Sequence, residues 1–238
     1  MYNPVNPYSV NEHRELPVIV YLFRRFIPIY IREKARQIIR GEGFYYKSGM
    51  DSKEVIFIHI PKAAGTSISK ALFGERTGHN TALAYKAANA KKYNQYFKFS
   101  VVRNPWARLL SSYNYLKSSP HEEDREWARD NIDKYEGFEE FVIKWVTPEN
   151  IMRWKHFIPQ SYFLCDETGK VIVDAWYKLE YLNESKIEIE KVTDTEIEHL
   201  NRSATVDYRK CYTDEMINVV AEVYRADVDL FGYSYGDL

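Results

Sequence analysis

Pro61-Lys62-Ala63-Ala64-Gly65-Thr66-Ser67 follows directly on the apolar run Val55-Ile56-Phe57-Ile58-His59-Ile60. Together they read as a buried strand, a tight loop and the start of a helix. Ile68, Ala71 and Leu72 give that helix an apolar face at i, i+3, i+4 spacing, Thr66 or Ser67 is placed to cap it, and Gly74 to end it. The free amides at a helix start carry partial positive charge, so such a loop offers an anion both donors and a favourable dipole. Gly65 lets the backbone approach without a Cβ in the way, and Lys62 adds a full charge where a leaving group would sit. The lysine precedes the glycine, which excludes the Walker order G-x-x-x-x-G-K-[ST]. The bland alternative is an ordinary strand-to-helix turn with a surface lysine.

A second unit repeats the architecture. Tyr96-Phe97-Lys98-Phe99-Ser100-Val101-Val102 reads as a buried strand, and Arg103-Asn104-Pro105-Trp106 then opens a helix with asparagine as cap and proline at its first position. Arg103 therefore falls at the C-terminal edge of a strand, where open α/β sheets bind ligands. Ser111, eight residues on, lies about two turns into the helix on a face that Arg103 can share. A guanidinium and a hydroxyl suit a phosphate monoester. Alone, Arg-Asn-Pro is more often a capped helix with an arginine on a carboxylate. Paired with the first loop, it implies a ligand with two separated phosphate groups.

The stretches IFIHIPKAAGTS and FKFSVVRNPWARLLSSY resemble the 5'-phosphosulfate and 3'-phosphate motifs of sulfotransferases that use 3'-phosphoadenosine 5'-phosphosulfate (PAPS). They are most similar to carbohydrate sulfotransferases related to the chondroitin, HNK-1 and heparan sulfate 2-O enzymes and to their bacterial relatives. HFIPQSYFL, VDAWYKLEYLNE and the terminal YTDEMINVVAEVYRADVDLFGYSY extend the likeness, which spans Glu54 to Tyr235. The resemblance implies a P-loop-like sulfotransferase fold. It also implies that Lys62, Ala64, Gly65, Thr66 and Ser67 hold the 5'-phosphosulfate, that Arg103 and Ser111 hold the 3'-phosphate, and that no metal takes part.

Composition bounds this expectation without adding to it. A chain of 238 residues, 45% hydrophobic, is long enough for one sizeable core. A net charge of -1 gives no ground for nucleic-acid binding. The two cysteines, Cys165 and Cys211, are far apart and form neither a disulfide framework nor a ligand cluster. Sequons at Asn183 and Asn201 carry little weight in a chain this rich in asparagine.

Residues 1–50 read as a basic helical arm ahead of a sulfotransferase domain at 51–238. Over residues 1–40, Arg14, Arg24, Arg25, Arg32, Lys34, Arg36 and Arg40 face Glu12, Glu15 and Glu33, so this stretch carries +4 and the remainder -5. The apolar run Val18 to Phe23 is broken by Arg24-Arg25, too short and too charged to span a bilayer and without a signal peptide's layout. A helix packed on the domain with its arginines in solvent is the favoured expectation. Peripheral contact with an anionic membrane is the other. A cytoplasmic enzyme, with or without membrane association, follows as the simpler expectation.

The remaining elements are scaffold. Phe138, Phe141, Val142 and Trp145 follow i, i+3, i+4, i+7 spacing, and Thr213 is placed to cap a helix with Ile217, Val220, Ala221 and Tyr224 inward. Phe163-Leu164-Cys165 and Lys170-Val171-Ile172-Val173 around Asp166-Glu167-Thr168-Gly169 predict a hairpin, and Glu184 to Glu198 a solvated helical face. Strands alternating with helices predict a three-layer α/β domain with a mainly parallel central sheet.

Sulfuryl transfer needs a base for the acceptor hydroxyl and positive charge on the departing oxygen. Lys62 supplies the charge. Histidine is the side chain with an unperturbed pKa nearest neutrality. His79, in Thr77-Gly78-His79-Asn80-Thr81, is similar to the Gly-His segment that carries the catalytic histidine of heparan sulfate 2-O-sulfotransferase; without that likeness it reads as a solvated loop residue. His156, ahead of Pro159-Gln160, is the second candidate base or a positioner of the acceptor, and His59 reads as a core histidine within the strand. A glutamate base, used by some relatives, stays open. The family likeness points to a carbohydrate or glycolipid acceptor, which the chain's 20 Tyr, 12 Phe and 5 Trp do not establish. Arg202 and Arg209 fall where relatives close over the cofactor. Two other functions remain open: a nucleotide-dependent phosphotransferase, and a silent module that binds nucleotide or a membrane surface.

Overall fold

The computed structural model describes residues 29–197 and 207–237. The apolar and basic run at 18–28, Asn201 and Arg202 lie outside the described residues. In chain order the helices are α1 (Ile29–Arg40), α2 (Ser48–Lys53), α3 (Gly65–Phe73), α4 (Ala82–Ala88), α5 (Ala90–Gln95) and α6 (Pro105–Lys117). They continue with α7 (Glu122–Asn131), α8 (Phe138–Trp145), α9 (Gln160–Leu164), α10 (Leu182–Thr193), α11 (Asp214–Val223) and α12 (Arg225–Phe231). The strands β1 (Val55–Ile58), β2 (Phe97–Val102) and β3 (Ala175–Lys178) form one parallel sheet in that order.

Val55 pairs with Phe97 and Phe99 with Ala175, so the two apolar runs expected to be strands lie side by side, with β2 in the middle of the sheet. Every residue of β1 is buried, as a sheet covered on both faces requires. Alternation sends Val55 and Phe57, with Phe99, Val101 and Tyr177, against Ile68 and Leu72 of α3 and Leu182 and Ile189 of α10. Ile56, Ile58 and Val102 face the larger core, which holds Tyr85, Leu109, Phe141, Trp145 and Phe157. Helices thus cover both faces of a parallel sheet, giving an α/β fold of three layers. β3 is held in register by Asp174, whose N–H donates to the Lys98 carbonyl at 2.8 Å while its carboxylate accepts from the Lys98 N–H at 2.8 Å.

Several local expectations hold. Asn104 caps α6 by accepting from the N–H groups of Trp106 and Ala107 at 3.1 and 3.4 Å, with Pro105 at the first position. Thr213 caps α11 by accepting from Met216 N–H, and Gly74 ends α3 in the left-handed region. α8 has the predicted bounds. Cys165 and Cys211 are both free thiols.

Three expectations are corrected. Phe163 and Leu164 belong to α9, and only the single antiparallel bridge Cys165–Val171 remains of the hairpin. The reason is tertiary: the Asp227 carboxylate, from α12, accepts the N–H groups of Gln160 and Ser161 at 2.7 and 2.8 Å and so caps a helix there. Neither Thr66 nor Ser67 caps α3; the cap residue is Ala64 in a left-handed conformation, with no side-chain bond, and both hydroxyl residues lie inside the first turn. On α1 the arginines do not all lie in solvent. Arg32 and Glu33 are each 6% exposed, while Ile31, Ile38 and Ile39 are 54%, 77% and 85% exposed. Two bonds tie this side to the domain, Lys34 Nζ donating to the Ala87 carbonyl at 2.9 Å and Tyr30 N–H donating to the Glu167 carboxylate at 3.1 Å, while Glu33 pairs with Arg36 of the same helix and Nε and Nη1 of the buried Arg32 have no hydrogen-bond partner among the described residues. No described helix is long and apolar enough to cross a membrane.

Candidate active site

Residues that directly follow each of the three strands line one cavity of about 830 Å³: His59, Pro61 and Lys62 after β1, Arg103 after β2, and Leu179 and Glu180 after β3. Ala64, Gly65, Thr66, Ser67, His79, Ser111 and His156 line it too, so the residues read for the two anion motifs and for the base reach the same space. From α6 and its C-cap the lining residues Ala107, Ser111, Asn114 and Ser118 recur at i, i+4, i+7, i+11, which continues the face that begins at Arg103.

The loop from Pro61 to Ala64 is strained. Lys62 and Ala64, neither of them glycine, sit at φ 66° and 57°. Left-handed and right-handed residues in succession turn consecutive backbone N–H groups to one side and make an anion-binding concavity. Two arginines from the second motif tie this loop down: Arg108 Nε donates to the Pro61 carbonyl at 3.0 Å, and Arg103 Nη1 donates to the Lys62 carbonyl at 3.3 Å. The two halves of the site are therefore joined directly.

Gly65, which lines the cavity, has a packing role besides the one its sequence context suggests. A Cβ at Gly65 would lie 1.9 Å from Cδ2 and 2.4 Å from Nε2 of His59, so the missing side chain is the space that the His59 ring fills. His59 itself lies just past the end of β1, not within it, and is a buried part of the cavity wall. Gly65→Ala is expected to destabilise the protein by about 1–3 kcal/mol through overpacking, read as a lower urea midpoint. In Gly65→Ala combined with His59→Ala the midpoint recovers in part, because the clash is gone. Equal midpoints for Gly65→Ala and the parent would contradict this packing.

Three histidines form one wall. The rings of His59 and His79 are 4.2 Å apart between centroids, and those of His79 and His156 are 6.5 Å apart. His79 Nδ1 is 2.9 Å from the His59 carbonyl, and His59 Nδ1 is 3.0 Å from the Thr77 carbonyl. A carbonyl only accepts, so each Nδ1 carries the proton and each Nε2 keeps a lone pair. Burial pushes the His79 pKa down to about 4, opposed by the bond to His59 and aided by the nearby charges of Lys155, Arg76 and Arg108. Burial likewise lowers His59 to about 3, and holds His156 well below the usual range. His156 Nδ1 has no hydrogen-bond partner and stands 3.8 Å from Asp124 Oδ1, so its ring is not fixed as that of His79 is.

Lys62 is half-buried, with Nζ 3.8 Å from the centre of the Tyr115 ring, whose hydroxyl donates to Asp124 at 3.1 Å. Burial first and the charge of Arg103 second bring its pKa down to about 8, with Asp124 opposing both. Thr66 Oγ1 accepts from Arg76 Nη2 at 3.3 Å at the rim of the cavity. Burial also bears against the charge of Arg103, with Glu180 supporting it.

Arg103 is positioned by residues the sequence did not single out. Its N–H donates to Gln160 Oε1 at 2.8 Å, and Gln160 Nε2 donates back to its carbonyl at 2.7 Å. Gln160 N–H in turn rests on the buried Asp227, which also supports the charge of the buried Arg108. Arg108 carried one legible signal, a charge on the otherwise apolar side of α6 between Ala107 and Leu109. Nothing in the sequence joins Gln160 to Arg103 or to Asp227. Arg209 lines the cavity and pairs with Asp207 at 2.7 Å, and the chain end closes beside it through Tyr208, whose hydroxyl donates to the Asp237 carbonyl at 3.1 Å. Among the described residues no group of three or more His, Cys, Asp or Glu is arranged to hold a metal ion.

Residues 50–234 match the model of a family described as Sulfotransferase family. No curated protein and no solved structure matches the chain.

Proposed function

The chain belongs to the sulfotransferase family, and we propose that this cavity binds PAPS and moves its sulfuryl group to a hydroxyl of a carbohydrate acceptor, on a glycan or glycolipid. The observation that carries the proposal is that one cavity is lined by two sets of side chains suited to anions, Lys62 with Thr66 and Ser67 at one loop and Arg103 with Ser111 at the other. The donor set fits a nucleotide with an anionic group at each end: a strained loop with its amides at a helix start for the phosphosulfate, and a guanidinium with a hydroxyl for the 3'-phosphate.

In the proposed reaction the acceptor oxygen bonds to sulfur as the bond from sulfur to the bridging oxygen breaks. The acceptor's proton passes to Nε2 of His79, whose other nitrogen is held protonated by the His59 carbonyl. Negative charge grows on the bridging oxygen, and the Lys62 ammonium meets it. Adenosine 3',5'-bisphosphate and the sulfated acceptor leave. His156, without a fixed ring, is assigned to contact with the acceptor and not to proton transfer.

The two roles set a pH profile. His79 must be neutral, which holds above about 4, and Lys62 must be charged, which holds below about 8. Accordingly kcat/KM is expected to rise through about pH 4 and to fall through about pH 8. Lys62→Arg, though slower, should lose the alkaline limb, because a guanidinium stays charged throughout. A limb that stays at the same pH in Lys62→Arg would assign it to another group.

Labelled-sulfate transfer from PAPS to a panel of glycans, glycolipids and phenols tests the function directly. Transfer to a glycan or glycolipid is expected. Transfer to phenols alone would overturn the acceptor assignment, and phosphoryl transfer from ATP without sulfuryl transfer would overturn the donor.

A further inference from the structure

α1 is inverted with respect to water. Its inward side carries Arg32 and Glu33, while Ile31, Ala35, Ile38 and Ile39, at i, i+4, i+7, i+8, form an outward stripe. The three isoleucines belong to the few large apolar side chains exposed on the described surface. Arg40 closes the stripe at the helix's C-terminal end, where its guanidinium lies 4.5 Å above the ring of the exposed Phe44. We propose that this face of α1 docks the protein on an anionic lipid surface, with the isoleucines entering the boundary between headgroups and acyl chains.

Charge selects this occupant. Residues 1–40 carry +4 while the remainder of the chain carries -5, and within α1 Arg32, Lys34, Arg36 and Arg40 stand against Glu33 alone, so an anionic surface attracts this helix. Arg24 and Arg25 lie just ahead of α1 in the chain, amid the apolar residues of 18–31. An apolar stripe bordered by basic residues is the composition that binds at a membrane interface. A symmetric contact with a second copy would bring two +4 segments together, which works against that pairing. The proposal does not depend on which group the cavity transfers.

The full chain, at a fixed low salt concentration, is sedimented with vesicles of phosphatidylcholine alone and of phosphatidylcholine mixed with phosphatidylserine. Binding only to the mixed vesicles is expected, weakened by added salt and reduced at least about tenfold in Ile38→Asp combined with Ile39→Asp. Both positions are among the most exposed on the helix, so the variant should keep its circular dichroism and its affinity for adenosine 3',5'-bisphosphate. Equal binding to both vesicle types, or binding untouched by the double substitution, would overturn the proposal. So would a parent protein that stays in the supernatant, whether it is monomeric, with residues 1–28 covering the stripe, or forms a dimer that the double substitution dissociates.

Discussion

Lys62→Met is expected to lower kcat by about 10²–10³-fold while changing the affinity for adenosine 3',5'-bisphosphate by only a few-fold. The aliphatic part of methionine keeps the packing over Tyr115, and only the charge is lost. Lys62 suits this split because burial already disfavours its ammonium in the free protein, with the pKa brought down to about 8. A charge held under strain before the reaction gains most when a negative oxygen forms beside it, and that gain belongs to the transition state. Single-turnover rates with saturating PAPS, set against calorimetry of the bisphosphate, separate the two effects. An equal loss in binding and turnover would make Lys62 a holder of the phosphate and not a stabiliser of the leaving group.

His79→Ala is expected to reduce transfer by about 10²–10⁴-fold with bisphosphate affinity intact. Alanine also leaves the His59 carbonyl without its donor, a cost of about 1–3 kcal/mol in stability. His79→Asn is the better probe, since its amide can still donate to that carbonyl but takes up no proton. Both variants should therefore lose turnover, and the asparagine variant should keep the parent's urea midpoint more nearly. Transfer that survives in both would hand the proton to His156 or to a carboxylate. His156 is the less suited of the two rings as they stand, because its Nδ1 has no partner to fix it.

Much of this site was legible because it is built from local signals. The two strands, the Asn104-Pro105 helix start and the shared face of Arg103 and Ser111 follow from patterns a few residues long and are present in the structure, the first strand ending at Ile58, short of His59. What was misread depends on distant partners. Gly65 was read only as room for a ligand, and its second constraint, the ring of His59 six residues earlier and across the turn, was not seen. The expected hairpin after Phe163 became a helix because Asp227 caps it from the far end of the chain. Arg103 was found but its holder was not: Gln160 grips its backbone on both sides, and no spacing rule joins residues 57 positions apart. The same limit applies to α1. Its basic residues marked a helical arm with arginines in solvent, but only the contacts with α4 and Glu167 show that a polar side turns inward.

Under the proposed function, Lys62 and Arg103 belong to one site for a nucleotide with separate 5' and 3' anions. Calorimetry with adenosine 3',5'-bisphosphate and with ATP tests it most directly, in the parent and in Arg103→Ala. The bisphosphate should bind the parent at least about tenfold more tightly than ATP, a difference of ~1.4 kcal/mol, and that preference should vanish in Arg103→Ala because the 3'-phosphate loses its guanidinium. Equal affinities in the parent, or a preference that survives Arg103→Ala, would contradict the two-anion site.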